Sequence, residues 1–223
     1  MLNLVLISLD EFILKQSNFF NGILDKLALH FNQKIDNNLR SNLNGLSIDI
    51  ENVAHLVAKE LGKEWKIEKE DLIDAFYAIG AQLIADTKIE LTNSWLNAIN
   101  DLTSRQIKVG FFSTFNISKN IFSNYKITDA KKAFMQIKLN DNVDLIKRDF
   151  LNFISNQICQ PFETVIITNN DSLFEITIDT GIKIFSTLDN ISKNFIKTNQ
   201  VIQIDSEPNV DSWIYNFQEE IVE

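Results

Sequence analysis

Polar side chains follow three apolar runs of the sequence, and their types could act on a bound ligand. The first run, LNLVLISL, contains Ser8 near its end and is followed by Asp10. The run IKVGFF is followed by Ser113 and Thr114. The run TVIIT, residues 164–168, ends in Thr168 and is followed by Asn169, Asn170 and Asp171. Hydroxyl and amide groups can bind a ligand, and carboxylates can in addition move protons or hold a metal. These three segments are therefore the candidate functional residues.

The elements that must position them are predicted from the same runs. Each run is short, apolar and rich in Val, Ile or Phe, which is typical of a buried strand. Shorter strands are predicted at KAFMQIKL, IKIFS and QVIQID, and helices at SKNIFSNYKI, DLIKRDFLNFISNQI, SLFEITIDTG and DSWIYNFQEEIV. Strands alternating with helices predict an α/β fold with a parallel sheet flanked by helices. Ligands bind at the carboxyl ends of such strands, where the three segments are expected to meet.

Residues 15–88 interrupt this alternation because their apolar residues recur at helical spacing throughout. The segments FFNGILDKLALHF and ENVAHLVAKELG are both predicted to be helices. The prediction is an α/β core of residues 1–14 and 89–223, with an all-helical insert of residues 15–88 after the first strand. Phe19-Phe20 and Trp65 in this insert are candidates for aromatic contacts with a partner, although core packing suits the phenylalanine pair better.

Composition excludes several classes of function. The net charge of −9 and the pI near 4.8 disfavour binding to nucleic acid, which requires a basic surface, and binding to an anionic membrane surface. Cys159 is the only cysteine, so no intrachain disulfide is possible, and its apolar context predicts a buried, inert thiol. The first residues lack the positive charge of a signal peptide, and no segment is long enough to span a bilayer. We therefore expect a cytoplasmic protein without membrane insertion.

The order of these segments resembles the haloacid dehalogenase (HAD) superfamily, in the subgroup with a helical cap inserted after the first strand. LVLISLDEFIL resembles the first motif of that family, an apolar strand followed by Asp-x-Asp-Gly. IKVGFFST resembles the second motif, and TVIITNNDSLFEITIDTGIKIF the fourth, with Gly181 where the last glycine belongs. The resemblance covers almost the whole chain. It implies a Rossmann-like core and makes residues 15–88 the cap.

The resemblance also implies roles for the first motif. In the family its first Asp attacks phosphorus and its second Asp is the general acid/base. Here Ser8 holds the nucleophile position and Asp10 the acid/base position, while Glu11 replaces the following glycine. A hydroxyl is a poor nucleophile without an activating base, and the only histidines, His30 and His55, lie in the predicted cap.

The other motifs depart from the family as well. Ser113 and Thr114 match the residues that bind phosphoryl oxygens, and Lys147 is a displaced candidate for the lysine that offsets their charge. Asn169 stands where the family has a motif-four Asp, and Leu173 falls near the place of the second acid. Asn170 and Asp171 are alternatively the cap of the following helix. The implied metal ligands are Asp10, Asn169, Asn170 and Asp171.

Two functions follow from this pattern. The leading hypothesis is a HAD-like protein that has lost phosphohydrolase activity and binds a protein partner or a small phosphorylated ligand, with no cofactor. The alternative is a divergent Mg²⁺-dependent phosphatase or hydrolase acting on a small phosphorylated metabolite. An unrelated nucleotide-binding α/β protein is disfavoured, because the chain contains neither GxGxxG nor GxxxxGK[ST].

Overall fold

The computed structural model describes residues 1–9, 11, 16–44, 50–86, 93–113, 115, 133–137, 142–188, 191 and 200–218. Within them, six parallel strands form one sheet in the order β3-β2-β1-β4-β5-β6. The strands are β1 Leu4–Ser8, β2 Lys108–Ser113, β3 Phe134–Gln136, β4 Thr164–Ile167, β5 Lys183–Ser186 and β6 Val201–Gln203. The prediction of a parallel α/β sheet is confirmed.

The central strand β1 explains why the sheet is covered on both faces. All five of its residues are buried, and successive side chains of a strand point to opposite faces. Leu4 and Leu6 pack into one apolar cluster, whereas Val5 and Ile7 pack into the other. A strand buried on both sides reads as a continuous apolar run, which is why the sequence reveals it.

Helices flank this sheet and also form the segment that follows β1. The described α-helices are α1 Gln16–His30, α2 Asn37–Asn44, α3 Ile50–Trp65, α4 Lys69–Ala85, α5 Asn93–Ser104, α6 Val143–Asn156 and α7 Val210–Gln218. None of them is long and apolar enough to cross a membrane. The helix predicted at SKNIFSNYKI lies outside the described residues.

One predicted helix takes a different form. The segment SLFEITIDTG, residues 172–181, overlaps a 3₁₀ helix, Asp171–Thr177, rather than forming an α-helix. The hydroxyl of Thr177 donates to the Phe174 carbonyl and that of Thr180 to the Ile176 carbonyl. These side chains satisfy backbone acceptors locally, and β-branched residues have low helix propensity, so a short tight turn replaces the regular helix.

Helices α1 to α4 share a core with one face of the sheet. Their buried residues belong to the same apolar cluster as Val5 and Ile7 of β1. Phe19 and Phe20 are fully buried there, as core packing predicts, and Trp65 is only 7% exposed. The idea of Trp65 as an exposed partner contact is therefore wrong. The division into a core and a cap of residues 15–88 stays a prediction.

Candidate functional site

The register of the sheet brings the three polar segments to one edge. In the pairing of β1 with β2, Ser8 lies beside the residue that precedes Ser113. In the pairing of β1 with β4, Ile7 lies beside Ile167, which precedes Thr168. Ser8, Ser113 and Thr168 are each 1% exposed or less. The structure thus places two of the predicted segments on either side of the first, in a buried setting.

The end of β1 carries a neutral hydroxyl where the resemblance expects a carboxylate. Ser8 is the last residue of β1. Its hydroxyl would need a base to act as a nucleophile, and both histidines, His30 and His55, are exposed on α1 and α3. Asp10 lies outside the described residues, so its acid/base role stays a prediction.

The hydroxyl of Ser113 takes part in a local turn at the end of β2. Its oxygen accepts a hydrogen bond from the backbone N–H of Phe115 at 3.0 Å. This two-residue spacing is common for serine, because its short side chain reaches nearby backbone donors. Thr114 lies outside the described residues. A role for either residue in binding phosphate stays a prediction.

The side chain of Asn169 is hydrogen-bonded to residues at the end of β5. Its Oδ1 accepts hydrogen bonds from Ser186 Oγ at 3.0 Å and from the backbone N–H of Thr187 at 2.9 Å, and it lies 3.1 Å from Thr187 Oγ1. Its Nδ2 lies 2.8 Å from the same Thr187 oxygen. Both the oxygen and the nitrogen of this amide are therefore hydrogen-bonded to the neighbouring strand end.

Glu11 is a site residue that the sequence did not assign. The residue is only 7% exposed, and its carboxylate accepts a hydrogen bond from the Thr168 hydroxyl, 3.0 Å from Oε2 and 3.3 Å from Oε1. The backbone N–H of Asn169 donates to the same Oε2 at 2.5 Å. The one available signal was a charged residue inside an otherwise apolar stretch, at a position where the family pattern has glycine.

Asn170 caps the 3₁₀ helix, in line with the capping interpretation. Its Oδ1 accepts a hydrogen bond from the backbone N–H of Ser172 at 3.0 Å. The residue is 1% exposed, and its Nδ2 has no hydrogen-bond partner among the described residues. Asp171, by contrast, is exposed in the first turn of that helix.

Lys147 contacts a backbone carbonyl on a neighbouring element. Its ammonium donates to the Ile178 carbonyl oxygen at 2.5 Å, just beyond the end of the 3₁₀ helix. The interaction satisfies one of the carbonyls left open where a helix ends. Its predicted role in offsetting phosphoryl charge stays a prediction.

The described residues of the site do not fit a Mg²⁺ ion. The cation needs several oxygen ligands and favours charged carboxylates. At the described strand ends, the oxygen of Ser8 is uncharged and that of Asn169 is already hydrogen-bonded. The carboxylate of Glu11 is bound by the Thr168 hydroxyl and the Asn169 N–H. No group of three His, Cys, Asp or Glu side chains within the described parts of the chain could hold a metal.

Phe115, two residues after the end of β2, packs against aromatic side chains of the helices. It is fully buried, and its ring lies 5.2 Å from that of Phe19, edge-on, and 5.4 Å from that of Tyr77. A Cβ added at Gly80 of α4 would lie 2.4 Å from the Phe115 ring. The Phe115 side chain is therefore packed tightly against helices α1 and α4, and this contact was not foreseen from the sequence.

No family model and no curated protein matches the chain. Solved structures do match. A β-phosphoglucomutase from Clostridium difficile is 18% identical over 100% of both chains, with a TM-score of 0.59. A haloacid dehalogenase-like hydrolase from Streptococcus pneumoniae is 12% identical over 96% of this chain and 98% of that chain, with a TM-score of 0.62. CbbY from Rhodobacter sphaeroides, in complex with phosphate, is 9% identical over 91% of this chain and 94% of that one, with a TM-score of 0.56.

Identities this low relate the chain to these proteins by fold. The six-stranded parallel sheet, the helices on both faces and the near-complete coverage agree with one another. The chain has the haloacid dehalogenase-like fold.

Proposed function

We propose that this chain is a binding or interaction protein built on the HAD-like fold, one that no longer hydrolyses phosphate esters. The observation that carries the proposal is the position of Ser8 as the last residue of β1, in register with the strands that lead to Ser113 and Thr168. A one-residue shift would turn the side chain to the other face of the sheet. On this proposal the nucleophile position holds a hydroxyl. Loss of a nucleophile costs several orders of magnitude in rate, about 10⁶-fold in one protease.

The hydrogen bonds made by the side chains of Asn169 and Glu11 support the same proposal. By the resemblance, Asn169 stands where the family has a metal-binding carboxylate, and its amide is hydrogen-bonded to the end of β5. Glu11 supplies a carboxylate that is held by backbone and hydroxyl donors of the β4 turn. The ligand would be a protein partner or a small phosphorylated molecule. We propose no nucleic acid, no membrane insertion and no cofactor, and a cytoplasmic location with residues 15–88 as the cap.

The second candidate is a divergent Mg²⁺-dependent hydrolase of a small phosphorylated metabolite. The similar structures favour it over the first, because they are a hydrolase, a phosphoglucomutase and a protein in complex with phosphate. Ser113, Asp10 and Asp171 would then form the phosphate and metal pocket. A nucleophile other than a carboxylate at position 8 would be required.

A phosphatase assay separates the two candidates. The purified chain is incubated with p-nitrophenyl phosphate and a panel of sugar phosphates, with Mg²⁺ and with EDTA. The first candidate predicts that Ser8→Ala leaves the background rate unchanged and that calorimetry detects no Mg²⁺ binding. The second predicts Mg²⁺-dependent turnover that Asp10→Asn abolishes. Ser8→Asp combined with Asn169→Asp is the positive control, because it returns both carboxylates to the strand ends.

A further inference from the structure

We propose that the turn after β4 is an oxyanion-binding site and that the Glu11 carboxylate is its built-in ligand. The site consists of the backbone N–H of Asn169 and the hydroxyl of Thr168, and the class of ligand is a small carboxylate or another oxyanion. This goes beyond both candidate functions, since neither assigns an external oxyanion to these two donors.

Two donors converge on one carboxylate. Oε2 of Glu11 lies 2.5 Å from the nitrogen of Asn169 and 3.0 Å from Oγ1 of Thr168. Hydrogen bonds to an ionised carboxylate are shorter and stronger than those between neutral groups. Glu11 also reaches across the sequence to these residues, so the contact joins the segment after β1 to the segment after β4.

The hydroxyl of Thr168 is oriented for this role. The backbone N–H of Asn170 donates to Thr168 Oγ1 at 3.1 Å. Because that bond uses an oxygen lone pair, the single hydroxyl proton remains available for Glu11. The result is a chain from Asn170 through Thr168 to the carboxylate, in which each bond polarises the next.

A second observation is an unsatisfied hydrogen-bond donor in the next residue of this turn. The side-chain amide of Asn170 is buried, and its Nδ2 has no hydrogen-bond partner within the described ranges. Buried donors without a partner are rare in folded proteins. An oxyanion with more oxygens than one carboxylate, such as phosphate, would offer acceptors for such a donor.

The test removes the internal ligand and supplies an external one. The full-length Glu11→Ala variant is expected to melt below the parent chain. Acetate should then raise its melting temperature saturably, by about 3 °C at an acetate concentration about ten times its Kd. Sodium chloride at the same ionic strength should not do so, and the parent chain should respond to neither salt. Inorganic phosphate is tested in parallel, and a larger rise with phosphate than with acetate identifies it as the better ligand.

Two further variants distinguish the site from a general salt effect. Glu11→Gln keeps the shape of the side chain and should abolish the acetate response. Adding Thr168→Val to Glu11→Ala removes one donor and should weaken acetate binding at least tenfold. The proposal is overturned if Glu11→Ala shows no saturable response to acetate or phosphate, or if the parent chain responds equally.

If Glu11→Ala does not fold, the parent chain and Glu11→Gln still decide the matter. In NMR spectra of the parent chain, the amide proton of Asn169 should lie downfield and move as the Glu11 carboxylate is protonated. Glu11→Gln should shift this resonance upfield and remove the pH dependence. An Asn169 amide that is identical in both proteins contradicts the proposal.

Discussion

Glu11 and Asn169 are two residues whose side-chain chemistry departs from what the resemblance to the HAD pattern implies at their positions. That pattern places glycine at position 11 and a carboxylate at position 169, whereas this chain has the carboxylate at 11 and an amide at 169. The amide is bound to the end of β5, and the carboxylate is bound to the turn after β4. The negative charge near this turn is therefore held by neutral donors rather than exposed to an incoming cation.

The sequence pattern reveals the substitution at Asn169, but it does not reveal which groups Asn169 and Glu11 contact. Asn169 was recognised because it follows an apolar strand at the place of an expected acid. The contact of Glu11 with Asn169 joins residues 158 positions apart, and no local pattern encodes it. Hydrogen bonds between side chains and distant residues depend on the tertiary structure. The hydrogen bond from Lys147 to the Ile178 carbonyl is another that the sequence does not predict.

Cys159 provides a prediction at the level of a single group. Burial raises the pKa of this thiol above its ordinary value, and the nearby Lys108 only partly opposes the shift. The thiolate is the reactive form, so iodoacetamide should modify the folded chain at pH 8 at least about tenfold more slowly than the urea-unfolded chain. The rates are measured by mass spectrometry, and equal rates in the two states would contradict the prediction.

The raised pKa of Cys159 also determines whether its contribution to stability rises or falls with pH. A raised pKa means that the folded state holds the proton more tightly than the unfolded state. The stability from this thiol is therefore fully present below the unfolded pKa, about 8.5, and is lost as pH rises through the folded pKa. Cys159→Ala is the control that separates this loss from the titration of other groups.

At the level of elements, the strands were more predictable than the segments between them. The runs LNLVLISL, IKVGFF, TVIIT and IKIFS contain or overlap β1, β2, β4 and β5, because central strands buried on both faces must be apolar throughout. The 3₁₀ helix at Asp171–Thr177 was predicted as an ordinary helix, since apolar spacing alone does not report hydroxyls that bond to the backbone. The predicted helix at SKNIFSNYKI lies outside the described residues.

Gly80 of α4 gives the prediction for the packing of elements. Glycine to alanine in a helix usually stabilises by about 1 kcal/mol. At Gly80 the new Cβ would lie 2.4 Å from the buried Phe115 ring, which is rigid and enclosed by other aromatic rings. Overpacking of this kind typically costs about 1–3 kcal/mol. Urea denaturation should therefore show Gly80→Ala to be less stable than the parent chain.

Gly22 of α1 is the matched control for this substitution. Its Cβ would meet only the flexible side chain of Leu83, at 3.3 Å. Gly22→Ala should therefore be neutral or stabilising. Adding Phe115→Leu to Gly80→Ala should recover part of the loss, because the smaller side chain leaves room for the methyl group. If Gly80→Ala raises the free energy of unfolding as much as Gly22→Ala does, the Phe115 ring is not packed against Gly80 as described.

At the level of the whole molecule, one apolar cluster connects the helices after β1 with a face of the sheet. It contains Phe19 and Phe76 of the helical segment, Ile7 of the sheet and Trp213 of α7. Trp95 and Trp213 also pack together, with ring centroids 5.4 Å apart. A shared core of this kind couples the stability of its parts, because neither face can be exposed without cost. The proposed cap of residues 15–88 should then not unfold by itself.

The three tryptophans of the chain allow this coupling to be measured. Trp65 in α3 reports on the helical segment, whereas Trp95 and Trp213 report on the contact of α5 with α7. In Trp65→Phe, and separately in the double variant Trp95→Phe/Trp213→Phe, urea unfolding is followed by fluorescence and by far-ultraviolet circular dichroism. We expect the two signals to coincide within each variant, as a cooperative transition requires. A Trp65 fluorescence transition at lower urea than the dichroism transition would instead show that the helical segment opens first and folds as a separate unit.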